Sequence, residues 1–225
     1  MELILGSWRF AIEQVDPSVE ELSRKYNAAA PGWHRSIERM GFIDAYRSLF
    51  SQIQIGGQNS RMSVLDIGIG TGGLSQALLD SEDRPVDLTG IDISAEMLEQ
   101  ARLNLSGRVA SGQYSRQDIQ RLNFADNQFD LTMGAHVLEH LADMRLGLSE
   151  MIRVTKPGAP ILLIITRRGV ASSWLHLLWK IRAVRPREIQ SIFIEAGLKE
   201  VNFVKFKNSL WCNRMSIAIV GLKPL

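Results

Sequence analysis

Apolar and polar residues along this chain recur with two different periods, and the changes of period locate its elements. Up to about residue 53 the spacing is helical. One helix is predicted from Asp16-Pro17, with Pro17 at the first helical position, to a stop at Pro31-Gly32. A second is predicted from about His34 to Ile53, with Ile37, Met40, Ile43, Tyr46 or Arg47, and Phe50 along one face. The run Gly56 to Ser60 reads as a linker. From Arg61 onward short apolar runs alternate with helical periods. Strands are predicted at about 62–67, 86–91, 113–117, 129–133 and 161–166. Helices are predicted at about 72–80, from a Ser94 cap past Leu105, at about 142–155 and at about 186–196. Such alternation implies an α/β protein, a parallel sheet with helices on both faces. Two last strands, about 201–207 and 215–221, are expected to pair antiparallel at one edge across the link Asn208 to Arg214. The apolar opening, with Trp8 and Phe10, predicts no element.

Composition adds bounds. A chain of 225 residues suits one core domain, placed at 61–225, with an N-terminal helical extension over 1–60. No apolar run reaches the ~20 residues needed to span a bilayer, and a cytoplasmic location is expected. A single cysteine, Cys212, excludes an internal disulfide and a cysteine-based zinc site. Charge is segregated: residues 1–150 carry 13 Lys and Arg against 21 Asp and Glu, whereas residues 151–225 carry 13 against 3. Such a basic half suits an anionic partner, a membrane surface, or simply a solvated face beside the acidic half.

The chemistry centres on Val64 to Gly73, a buried strand running into a glycine turn. Gly68, Gly70 and Gly73 satisfy the dinucleotide pattern G-x-G-x-x-G, so the glycines alone leave several ligands open. Asp66 narrows them. A carboxylate two residues before Gly68 would repel a diphosphate and attract a cation such as an α-amino group. Asp92 ends the second strand, where it can accept ribose hydroxyls. Asp118 follows the third, where it can accept from an adenine amino group or cap a helix, and Ile93 or Ile119 can flank the ring.

These residues stand in an ordered series: Asp66-x-Gly68-x-Gly70-Thr71-Gly72, Gly90-Ile91-Asp92-Ile93-Ser94, Gln117-Asp118-Ile119, Phe129-Asp130-Leu131 and Glu150 to Gly158. The series, over about residues 61–165, resembles the motifs of class I S-adenosylmethionine-dependent methyltransferases. It is most similar to the small-molecule group that includes the ubiquinone/menaquinone C-methyltransferases. Ile69 and Ala159-Pro160 depart from the family's commoner residues without touching a ligand-binding side chain. The resemblance implies a Rossmann-like, seven-stranded, mostly parallel sheet of order 3-2-1-4-5-7-6 with strand 7 antiparallel. It implies S-adenosylmethionine as cofactor, held by Tyr26, Asp66, Gly68, Gly70, Gly72, Asp92, Ile93, Met97, Asp118, Ile119 and Ala135. It also implies a substrate-covering insert, here at about 167–187.

Methyl transfer needs a base only when the nucleophile must lose a proton. His136 and His140, after the fourth strand, are the candidates, with His140 equally readable as a structural histidine. Their H-x-x-E-H spacing also matches a metalloprotease pattern, but it follows a strand within the methyltransferase series. No metal site is assigned. The insert carries Trp174, Trp179 and a polar stripe that includes His176. An aromatic cover suggests a hydrophobic or aromatic small-molecule acceptor, and its basic flanks suggest a peripheral membrane contact. Trp33, His34, His136, Arg167, Trp174 and His176 are the expected acceptor-side residues. The rival readings are a ribosomal RNA or ribose methylase driven by the basic half, and a protein that binds S-adenosylmethionine without methylating. Base methylation of nucleic acid lacks its residues, since no Asp/Asn-Pro-Pro-Tyr segment follows strand four and Cys212 does not follow a proline.

Overall fold

The computed structural model describes residues 18–56, 60–169, 181–207 and 209–225, and the backbone of 2–5 and 8–11. Seven strands make one sheet: β3 (Met62–Ile67), β4 (Val86–Asp92), β5 (Ser111–Arg116), β6 (Leu131–Ala135), β7 (Pro160–Thr166), β8 (Lys199–Val204) and β9 (Ser216–Leu222). Their order is β5-β4-β3-β6-β7-β9-β8. Numbered within the sheet, this is 3-2-1-4-5-7-6. All neighbours are parallel except β9, which runs antiparallel to both β7 and β8. The fold class is therefore the one that the strand–helix alternation predicts.

Strand residues alternate between two cores. Val64, Leu131, Met133, Leu162 and Ile164 pack on one face under α2 (Phe42–Phe50), α3 (Gly73–Leu79) and α4 (Ala95–Asn104). Leu65, Ile67, Ile161, Leu163 and Ile165 pack on the other under α5 (Met144–Val154) and α6 (Pro186–Glu195). Burial on both sides explains why β7 reads as an unbroken apolar run. The motif residues after β6 prove structural. Lys156 Nζ donates to Asp130 at 2.7 Å, and Arg153 donates to Glu150 and to the carbonyls of Leu122 and Phe124. Two cations of the basic half are thus spent on internal acids and carbonyls.

Several sequence-based expectations need correction. The first helix does not stop at Pro31-Gly32: α1 runs unbroken over Val19–Arg39 with Pro31 inside it. A proline there forfeits one backbone hydrogen bond. Buried Ala30 and the cavity-facing Tyr26, Trp33 and Ile37 hold the helix together across it. The break comes instead at Gly41, whose left-handed backbone (φ 75°) starts α2. At its start Ser18 accepts from the Glu21 N–H, and the predicted Asp16-Pro17 start lies outside the described residues. The link before β9 is not plain loop but carries a short helix, α7 (Leu210–Met215). An antiparallel pair, β1 (Glu2–Leu5) and β2 (Trp8–Ala11), occupies the N-terminal stretch that predicted no element.

Candidate functional site

The carboxyl ends of β3, β4 and β6 face a cavity of about 500 Å³ that α1 crosses. Polar contacts pin α1 to these strand ends. Ser23 Oγ donates to the Ile93 carbonyl at 3.0 Å, Ser94 Oγ donates to Asn27 Oδ1 at 2.6 Å, and Tyr26 O–H pairs with His140 Nε2 at 2.8 Å.

The glycine turn forms the cavity's floor beside β3. Gly68 and Gly70 both have left-handed backbones, at φ 62° and 55°. A Cβ on Gly68 would sit 2.8 Å from Val137, whereas one on Gly70 would meet nothing nearer than a carbonyl at 3.9 Å. The space over Gly70 is therefore open for a ligand to lie against the backbone.

Two carboxylates flank that turn. Asp92 accepts the Gly70 N–H at 3.0 Å through Oδ2 and the Ser94 N–H at 2.9 Å through Oδ1. Each oxygen keeps lone-pair capacity, as paired hydroxyl acceptance requires. Burial raises its pKa, and backbone hydrogen bonds offset part of that rise. Asp66 lies deeper and accepts from Ser75 Oγ at 2.6 Å. Burial, aided by the neighbouring Asp92, pushes its carboxyl up to about 7. A cation arriving beside Asp66 would restore its charge.

Farther round the wall, Ile93, Met97, Asp118, Ile119 and Ala135 all line the cavity. Asp118 also accepts the Gln120 N–H at 2.9 Å, so it shapes its own turn while facing the pocket. Gly72, predicted with the other glycines, faces away from the cavity: a Cβ there would strike Leu105, just past the end of α4, at 2.9 Å. His34 is likewise not on the wall, its Nδ1 pairing with Thr71 Oγ1 at 3.2 Å. Arg167 is turned outward, donating to the Asn213 carbonyl at 3.2 Å. Trp174 and His176 lie outside the described residues.

A second, apolar stretch of wall brings Trp33 together with Ile37, Met40, Phe42, Tyr46, Trp211 and Met215. Sequence reasoning missed most of these because they converge only in the folded chain, from α1, α2 and α7. A polar knot interrupts it at the carboxyl ends of β6 and β7. His136 Nδ1 lies 3.0 Å from Glu139 Oε1 and 3.1 Å from Thr166 Oγ1, and its ring meets Phe42 edge-on. Thr166 could have been suspected from its place at the end of a strand, where open α/β sheets gather their ligand contacts. His140 lies behind this knot. Burial holds its imidazole below the usual histidine range, and among the described residues its Nδ1 has no hydrogen-bond partner.

Comparison with known proteins agrees with this fold. Residues 65–163 match the family model described as "Methyltransferase domain". A demethylmenaquinone methyltransferase of Porphyromonas gingivalis is 33% identical over 117 residues, covering 50% of this chain and 46% of the relative. A ubiquinone/menaquinone biosynthesis C-methyltransferase of Geotalea daltonii is 31% identical over 103 residues, covering 45% and 44%. The chain thus spans about half the length of the curated relatives it matches. Among solved structures, a methyltransferase in complex with the Haloferax volcanii Trm112 activator superposes with a TM-score of 0.74 at 20% identity. It covers 89% of this chain and 98% of that one.

Proposed function

Given that the chain belongs to the class I S-adenosylmethionine-dependent methyltransferase family, we propose that it methylates a small lipophilic acceptor held against the apolar wall of this cavity. One observation carries the reading: a single cavity joins the carboxylate-flanked glycine turn to the wall of Trp33, Phe42, Tyr46 and Trp211. The residues present suit the cofactor. The cavity's size falls within the ~300–1,000 Å³ typical of ligand sites. Asp92 offers paired acceptors, Asp66 is a buried carboxyl that favours a cation, and the backbone over Gly70 is open.

When bound, S-adenosylmethionine supplies an already activated methyl group, so the chain's own work is positioning and exclusion of water. Asp92 and Asp66 would orient the nucleoside and amino ends. Asp118 and Ile119 would border the base, with Ile93 and Met97 completing its wall. α1 would act as the cover, with Tyr26 and Trp33 on its inner face. Phe42, Tyr46 and Trp211 would take up the acceptor's apolar body, and His136 would receive a proton from it. The names of the menaquinone-pathway relatives favour a lipophilic aromatic ring.

The test is to incubate the protein with S-adenosylmethionine and short-chain demethylmenaquinol, and to quantify S-adenosylhomocysteine by mass spectrometry. Acceptor-dependent product is expected. Tight cofactor binding with no product from this or other lipophilic phenols would overturn the acceptor class.

A further inference from the structure

His136 is held in a conformation that a side chain seldom adopts, and the groups around it dictate where its proton sits. Its backbone is left-handed, at φ 58°. That is a strained region for a non-glycine residue. The conformation is fixed by its own N–H, which donates to the Ile164 carbonyl at 2.7 Å, and by the imidazole's grip on Glu139.

Glu139 is the hub. Its carboxylate is fully buried, and Oε1 accepts from the Thr166 N–H at 3.1 Å and from the Thr166 hydroxyl at 2.5 Å. The hydroxyl has one proton and spends it there. Toward His136 Nδ1, 3.1 Å away, Thr166 Oγ1 can only accept. The other neighbour of Nδ1, Glu139 Oε1, is an acceptor as well. Both partners of Nδ1 therefore demand a donor.

We propose that Glu139 is the positioning residue of His136, holding the imidazole with its proton on Nδ1 so that Nε2 faces the cavity as the base. Among the described residues Nε2 pairs only with the Ser216 hydroxyl, at 3.4 Å, too long to occupy that lone pair firmly. The step assigned to it balances simply. The acceptor's O–H or N–H bond breaks, its electron pair stays on the acceptor, and the proton bonds to Nε2 and later passes to water. The imidazolium so formed lies 3.0 Å from a buried carboxylate whose other oxygen, Oε2, has no hydrogen-bond partner among the described residues. His140 takes no such part, because its Nε2 is engaged by the Tyr26 hydroxyl and its Nδ1 is buried. Only the identity of the proton's source rests on the function proposed above; the tautomer follows from the hydrogen bonds.

The experiment is nitrogen-15 NMR of the histidine rings in the ligand-free protein, with the His136 signals identified by their loss in H136N. The wild type should show the Nδ1–H tautomer. Glu139→Gln keeps a carbonyl oxygen at Oε1 and should retain it. In Glu139→Leu the Thr166 hydroxyl loses its acceptor and becomes a donor to Nδ1, so the tautomer should switch to Nε2–H. A merely structural role for Glu139 would leave the tautomer the same in every folded variant. An Nε2–H tautomer in the wild type, or no switch in a folded Leu variant, overturns the proposal. Should the Leu variant not fold, Glu139→Ala, which removes the same acceptor, is read in its place. S-adenosylhomocysteine affinity, measured on the same samples, tests the proposed function separately and should change less than about threefold in Glu139→Gln.

Discussion

Replacing Asp66 with asparagine should remove a pH-dependent weakness that the ligand-free protein carries at its binding site. Asp66 is fully buried, and its carboxyl is pushed from 3.8 to about 7, first by burial and then by the charge of Asp92. A carboxyl with a raised pKa binds its proton more tightly in the folded than in the unfolded chain. Between pH 3.8 and about 7 the folded state therefore holds the extra proton, and stability falls as pH rises through that window. Roughly three pKa units at ~1.4 kcal/mol each give an upper bound of about 4 kcal/mol, all of it lost by about pH 8. Some 1–2 kcal/mol of that is already gone near pH 5, which leaves ~2–3 kcal/mol between pH 5 and pH 8. Asparagine does not ionise and can still pair with Ser75 Oγ. The variant should lack this slope while sharing those of Asp92, Glu139 and His140. Urea denaturation of both proteins at the two pH values reads the difference directly. For a chain of this size it corresponds to about 5–10 °C in Tm. Parallel pH dependences would refute the reasoning. The same substitution should abolish the thermal shift caused by S-adenosylmethionine, since it removes the carboxylate offered to the ligand's cation.

Other outcomes follow from single contacts. Asp92→Ala should weaken S-adenosylhomocysteine binding at least about tenfold, measured by calorimetry, through loss of two charge-assisted hydrogen bonds; unchanged affinity would remove Asp92 from the site. Gly68→Ala should cost ~1–3 kcal/mol in urea denaturation, because the new Cβ combines a left-handed backbone with a 2.8 Å approach to Val137. A fully stable variant would contradict that geometry. Pro31→Ala should raise Tm, since alanine restores an α1 backbone hydrogen bond and ~3 kcal/mol of helix propensity, less about 1 kcal/mol of unfolded-chain entropy. No gain would mean that the helix is not continuous there.

The centre of the sheet was legible because β3, β6, β7 and β9 are buried, so each reads as a compact apolar run, whereas the edge strands β5 and β8 are largely exposed and carry a weaker signal. The cofactor side was legible for a related reason. Its residues sit on strand ends and turns, where local sequence fixes position, and Asp66, Gly68, Gly70, Asp92 and Asp118 all reach the cavity wall. Gly72 shows that a turn's glycines serve two needs, approach to a ligand and packing against neighbours such as Leu105, which spacing cannot distinguish. The helix break was misplaced because proline's local penalty was weighed without the packing that carries α1 across it. The acceptor wall was largely illegible. Phe42, Trp211 and Met215 meet only through tertiary packing, and nothing in the spacing of Glu139 within H-x-x-E-H reveals that it binds Thr166 on β7.

The central claim, that this cavity receives S-adenosylmethionine, is tested most directly by isothermal titration of the wild-type protein and Asp92→Ala with S-adenosylmethionine, S-adenosylhomocysteine and NAD. Binding of the first two at one site per chain, weakened at least about tenfold by the substitution, with no heat from NAD, is the predicted result. Binding of NAD alone, or of S-adenosylmethionine with the same affinity in both proteins, would contradict it.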